Sequence, residues 1–189
     1  MILKGNEDLR VVKTIESIKA AFEELICEKD YEKITVKELC DRARINKKTF
    51  YHYYETLDFL LAELQGELSS SYLERIKDFS LPEDLDKVNR EFFLYSADQG
   101  LAYEKITCSG TYHSIRDDMV ESVNDAGWGK SLKYQKLSDF EKKLLMTFIN
   151  NAVLNAYRHW VEDGKEIPLD EVISVTNRLV LGGVNKFFE

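Results

Sequence analysis

Proline is nearly missing from this chain: two in 189 residues, with nine glycines and 32% charged residues. So few helix breakers suit a helical protein. Cysteine is scarce too. Cys27, Cys40 and Cys108 are odd in number and widely spaced, which excludes a disulfide framework and reads as reduced thiols of a cytoplasmic protein. No apolar run approaches the roughly 20 residues of a membrane-spanning helix, and the opening MILKGNEDLR lacks the apolar core of a signal peptide. The three histidines, His52, His113 and His159, form no cluster with zinc-like spacing, and His113 with Asp117 alone is a poor metal site. No glycine-rich phosphate loop precedes a helix, and Cys108-Ser109-Gly110 is too short a pattern to mark a nucleophile. No metal, cofactor or catalysis is therefore expected. The length allows one sizeable core or two small domains.

What the chain does have is concentrated in Thr35 to Leu61, TVKELCDRARINKKTFYHYYETLDFLL. Thr35 is a good N-cap, and Glu38 three residues on completes a capping box. Val36, Leu39, Cys40 and Ala43 follow at helical spacing and can face a core. Ile45 can fill the gap after the turn, and Asn46 is a strong N-cap for a second short helix. Lys47, Lys48 and Thr49 occupy its first turn, where side chains and backbone N–H groups can meet phosphates or base edges. Phe50 and Tyr53 or Tyr54 can pack inward while Tyr51 and His52 project outward. Thr56 caps a third helix through Leu57, Leu60, Leu61 and Leu64. Two short helices and a tight turn are how a helix–turn–helix presents a recognition helix to the major groove.

Between Lys33 and Lys48 six basic residues (Lys33, Lys37, Arg42, Arg44, Lys47, Lys48) face two acidic ones (Glu38, Asp41). The whole chain has 26 basic and 34 acidic residues, a net charge of −8. A basic island in an acidic protein, centred on a recognition helix, is the electrostatic footprint of nucleic-acid binding.

This segment resembles the DNA-binding domain of the tetracycline-repressor (TetR/AcrR) family. The likeness begins near Thr14 with an amphipathic helix (Ile15, Ile18, Ala21, Phe22, Leu25), continues through YEKITVKELCDRARI and ends with NKKTFYHYYETLDFLL. It covers about a quarter of the chain. The resemblance implies an all-α protein: a helix–turn–helix domain over 1–55, then a helical effector-binding and dimerisation domain over 56–189. It implies DNA contacts at Thr35, Lys47, Lys48, Thr49, Tyr51, His52 and Tyr53. Three positions depart from the family's pattern. Arg44 stands where the turn usually has Gly, so a non-glycine is expected at positive φ, at roughly 1 kcal/mol. Tyr53 stands where His is usual, and Leu57 where a phosphate-facing Lys is usual.

The remainder parses into helices. One runs from Thr56 to about Phe79 and another from about Pro82 to Asp98, with Ser80 and Glu83 as a capping box. Shorter pieces fall near 102–109 and 111–124, and Asp125–Ser131 is the clearest loop. Ser138 and Glu141 form another capping box for a helix reaching about Asp163, with Gly164 as its C-terminal cap. Pro168 starts a last helix.

The last two helices carry broad apolar faces. Phe148, Ala152, Val172, Val175, Leu179, Val180, Gly183 and Val184 are the expected dimer interface, an intrachain core being the plainer reading. Gly182-Gly183 points to close approach of another backbone. The resemblance implies a four-helix bundle between two copies, setting two recognition helices about one DNA turn apart on a near-palindromic operator. It also implies a small-molecule effector pocket among the central helices. Phe92, Tyr95, Tyr103, Tyr112, His113, Phe148 and Tyr157 are its candidate lining, against plain core packing. Arg116, Arg158 and His159 either orient a polar ligand or lie on the surface. The function expected is a ligand-gated repressor; an adaptor of the same fold acting through a partner protein is the alternative.

Overall fold

Helix boundaries follow local chemistry throughout. A computed structural model describes residues 8–108 and 127–189, and among them no strand occurs. The helices are α1 (Leu9–Glu28), α2 (Val36–Ala43), α3 (Lys47–Tyr53), α4 (Leu57–Ile76), α5 (Leu85–Ala97), α6 (Leu101–Cys108), α7 (Leu132–Gln135), α8 (Asp139–Glu162) and α9 (Leu169–Phe187). A 3-10 turn, Tyr31–Lys33, joins α1 to α2. The expected capping boxes form at Thr35/Glu38 and at Ser138/Glu141. Gly164 takes φ +73° at the end of α8, the left-handed position that glycine occupies without strain.

One capping box is not made. Ser80 and Glu83 do not start α5; Asp84 is its N-cap residue and turns back instead, its carboxylate accepting from the Ser80 N–H at 2.9 Å. Glu83 pairs outward with Lys133 at 3.1 Å. Residues 127 and 128 of the expected 125–131 loop are helical, and Trp128 is buried against Tyr134 and Phe188. The expected piece at 111–124 lies outside the described residues.

The chain divides into two compact units: residues 8–68 with 100–108, and 69–99 with 127–189 of those described. Helix α4 contributes to both. The first unit is built around Ile18, Phe22, Leu25 and Ile26 of α1, Leu39 and Cys40 of α2, Phe50 and Tyr54 around α3, and Leu60, Leu61 and Leu64 of α4. Helix α6 belongs to this core. Ile106 is buried in it, Ala102 packs against it, and Lys105 Nζ donates to the Cys27 carbonyl at 2.7 Å. On the seam of α1 and α4, Lys19 lies 3.0 Å from Glu63 and 2.5 Å from Glu67. The Tyr54 hydroxyl donates to Glu63 at 3.1 Å, and burial pushes its pKa up to about 12.

The second unit closes around Phe93, Tyr157, Ile173, Val180 and Val184, all at most 3% exposed. Tyr157 donates its hydroxyl to the Ser96 carbonyl at 3.0 Å, which satisfies a buried polar group. Two expected dimer residues are corrected here. Val180 and Val184 are 0% and 1% exposed within the single chain, so their side chains have no surface left to offer a second copy. Gly183 is also explained within the chain: a β-carbon there would stand 3.2 Å from Phe148 Cζ, so the close neighbour is an aromatic ring and not another backbone.

Val180→Asp should therefore act on folding itself, because an unpaired carboxylate in an apolar core is strongly destabilising. Thermal melting is the check: a cooperative transition at the parent temperature would contradict this placement.

Candidate nucleic-acid interface

The candidate interface is assembled on the first unit. Helix α3 has only seven residues, too few to be stable alone in water. Two features hold it. Asn46 caps it, Oδ1 accepting from the Thr49 N–H at 2.8 Å. Phe50, fully buried, and Tyr54, 2% exposed, tie its inner side to the core. The other side is thereby turned out. Lys47, Lys48, Tyr51 and His52 are exposed, Tyr51 by 55%, and Thr49 is half-buried. Tyr53 is half-buried and packs against the core, so only part of it remains for an outside partner. Leu57 also packs inward, as an apolar residue should.

Thr35 is exposed at the head of α2 and is held by its own helix. Its N–H and hydroxyl both donate to Glu38 Oε2, at 3.1 and 2.9 Å. Lys29 Nζ donates to the other oxygen at 2.7 Å. The Lys29 hydrogen bond first, then those from Thr35, hold the Glu38 carboxyl down at about 2.

Ion pairing sharpens the basic island. Arg42 is taken up by Glu28, at 2.6 and 2.8 Å, with Glu24 at 3.6 Å, and Lys33 by Asp30 at 2.7 Å. These carboxylates lie outside the Lys33–Lys48 window and cancel part of its charge. Lys37, Arg44, Lys47 and Lys48 are exposed and form no ion pair among the described residues. Lys37 and Arg44 count toward the charge in the sequence but stand outside the expected contact set; exposure and lack of a partner are what single them out. Four exposed cations with a tyrosine and a histidine beside them match the donors that contact phosphates and base edges.

The expected effector lining is only partly brought together. Phe92 and Tyr157 stack edge to face at 5.8 Å, and Tyr72 joins Phe92 to Tyr95 at 6.2 and 5.8 Å. Tyr95 and Tyr157 are, however, 5% and 0% exposed, so they are core as they stand. Phe148 cannot join them: nine residues from Tyr157, it lies on the opposite face of α8 and is 46% exposed. Tyr103 sits on α6 in the first unit, while Tyr112, His113 and Arg116 lie outside the described residues. Arg158 is half-buried and His159 exposed. Among the described residues no group of His, Cys, Asp or Glu is placed to hold a metal, and no helix is long and apolar enough to cross a membrane.

The expected dimer residues also separate by exposure. Phe148, Val175, Leu179 and Gly183 are exposed, Ala152 and Val172 half-buried, and Leu144 and Phe187 extend the exposed apolar set.

The Glu38 geometry sets a pH dependence. A carboxyl lowered from 4.5 to about 2 adds stability that is fully present above 4.5 and is lost as the pH falls through about 2. Glu38→Gln keeps a capping residue at this position but removes the titration. Its melting temperature should fall less than the parent's between pH 4.5 and about 2; parallel profiles would count against the network.

Comparisons with known proteins agree with this geometry. Residues 18–64 match the model of the bacterial regulatory proteins of the tetR family. The uncharacterised helix–turn–helix-type transcriptional regulator YxbF of Bacillus subtilis is 25% identical, over 85% of this chain and 43% of that protein. The chain thus spans less than half of that relative's length. A TetR transcriptional regulator from Streptococcus agalactiae has the same fold, with a TM-score of 0.71 at 18% identity over 90% of this chain and 95% of that one. So does the regulator FadR from Bacillus subtilis in complex with stearoyl-CoA, with a TM-score of 0.67 at 18% identity over 89% and 98% of the two chains. Residues 18–64, with their capped, cation-headed second short helix, thus carry a helix–turn–helix of the type found in the tetR family of bacterial regulatory proteins, and the described residues share the fold of regulators of that family.

Proposed function

We propose that this chain is a cytoplasmic, DNA-binding transcriptional repressor that works as a homodimer and is released by a small-molecule effector. The observation that carries the reading is the outer side of α3. Lys47, Lys48, Tyr51 and His52 stand exposed at a helix whose opposite side is anchored by Phe50. Thr35 stands exposed at the head of α2, but its N–H and hydroxyl are both given to Glu38, so the cations and aromatic side chains of α3 carry the reading.

The dimer reading rests on exposed apolar surface. Leu144 and Phe148 lie four residues apart on α8, and Val175, Leu179, Gly183 and Phe187 repeat at the same interval on α9. Leu179 is 70% exposed and Leu144 55%. Such a contiguous stripe on a soluble chain marks an association surface. Two copies joined there would set their recognition helices for two half-sites about 34–36 Å apart.

The effector reading is supported by the fold's having a member that holds stearoyl-CoA. An effector shifts the dimer between DNA-competent and DNA-incompetent states only through its differential affinity for the two. A coupling of about 1–3 kcal/mol is expected.

On the promoter DNA of its own gene, Lys47→Ala should weaken binding by about 1–3 kcal/mol if Lys47 reads a base. Unchanged affinity at every salt concentration would remove Lys47 from the interface. Leu179→Asp, at an exposed position, should give folded monomers by sedimentation velocity. A dimer that persists in this variant would rule out the α8–α9 surface.

A further inference from the structure

Arg44 is the first of two non-glycine residues with positive φ among the described residues, at φ 55° and ψ 42°. The second, Lys165 at φ 62°, has its side chain accounted for: the ammonium lies 5.6 Å from the Trp160 ring centroid. The backbone at Arg44 has an equally plain purpose. It ends α2 with the left-handed residue that turns the chain toward α3, and the Ile45 N–H donates to the Cys40 carbonyl at 3.0 Å. Glycine fills such a position without strain, and a β-branched or long side chain does not. The side chain of Arg44 gives nothing back to the fold: it is exposed and has no ion pair among the described residues, while Arg42, two residues earlier, is clamped by Glu28. A strained conformation retained for a side chain with no role inside the molecule points outward.

Its place in the chain says toward what. Arg44 is two residues before the N-cap of α3 and three before Lys47. Ser17 pins the turn from behind, its hydroxyl donating to the Ala43 carbonyl at 3.0 Å, so the base of the Arg44 side chain is fixed. A guanidinium on that base is free to reach a backbone phosphate flanking the groove that α3 enters, and its planar fork suits phosphate oxygens.

We propose that Arg44 is a DNA-positioning residue: it contacts a backbone phosphate beside the recognition helix, and the chain tolerates left-handed strain in the turn to place it there. The proposal rests on the DNA-binding reading of α3. It predicts that fold stability and DNA affinity move in opposite directions when the residue is changed.

Arg44→Gly and Arg44→Lys in the full chain test this on a mixed-sequence duplex of about 30 base pairs, titrated across a range of salt concentrations. Arg44→Gly should melt at the parent temperature or up to about 4 °C above it, yet bind the duplex about 5- to 10-fold more weakly. Its plot of log affinity against log salt should be shallower by about 1 per bound head, the signature of one lost phosphate contact. Arg44→Lys keeps the charge and should keep the parent's salt slope. A glycine variant with the parent's affinity and slope overturns the proposal while leaving the DNA-binding reading intact. A parent protein that ignores the duplex even at low salt overturns both.

Discussion

The burial of Phe50 beneath α3 is the constraint on which the interface depends. Seven residues do not make a helix in water by themselves, so the outer side of α3 has a fixed arrangement only because its inner side is anchored. Phe50 is fully buried, and Tyr54, just past the helix end, is locked by Glu63 as well as by packing. Burying one such aromatic contributes about 1.5–3 kcal/mol, comparable with the net value of a few hydrogen bonds. The polar groups at the head of α3 then need no support of their own beyond the Asn46 cap.

Electrostatics in the same unit are arranged by subtraction. Helix α1 brings Glu24 and Glu28 to Arg42, and the turn after it brings Asp30 to Lys33. Lys29 and Glu38 neutralise each other across α1 and α2. What survives is a smaller set of cations around the turn and the head of α3, in a chain whose net charge is −8. Paired surface charges contribute little to stability, so their main effect here is on where the field remains positive. An acidic chain with a local positive patch is steered toward a polyanion in one orientation.

Local signals were legible in the sequence and long-range ones were not. The Thr35/Glu38 and Ser138/Glu141 boxes, the Asn46 cap, and the inward Phe50 against the outward Tyr51 all depend on residues within one helical turn, and each stands as read. Ser80/Glu83 had the same pattern and failed, because Asp84 competes for the Ser80 N–H and captures it. On α9 periodicity marked an apolar helix but could not separate Leu179 from Val180, neighbours about 100° apart, of which one is 70% exposed and the other 0%. The aromatic list failed for a related reason: residue type says nothing of facing, and Phe148 and Tyr157 point to opposite sides of one helix. Free cations such as Lys37 could not be told from paired ones like Arg42, whose partner is 14 residues away in the chain.

The membership of α6 in the first unit has a bearing on how such a head can be inherited. Its core is completed by a segment that returns after 31 intervening residues, 69–99, and that segment seats Ile106 and ties Lys105 to the end of α1. A single recombination point downstream of the third helix would therefore deliver an unfinished module with an apolar scar. A change at position 102, 105 or 106 would thus be felt by a surface far away in the sequence.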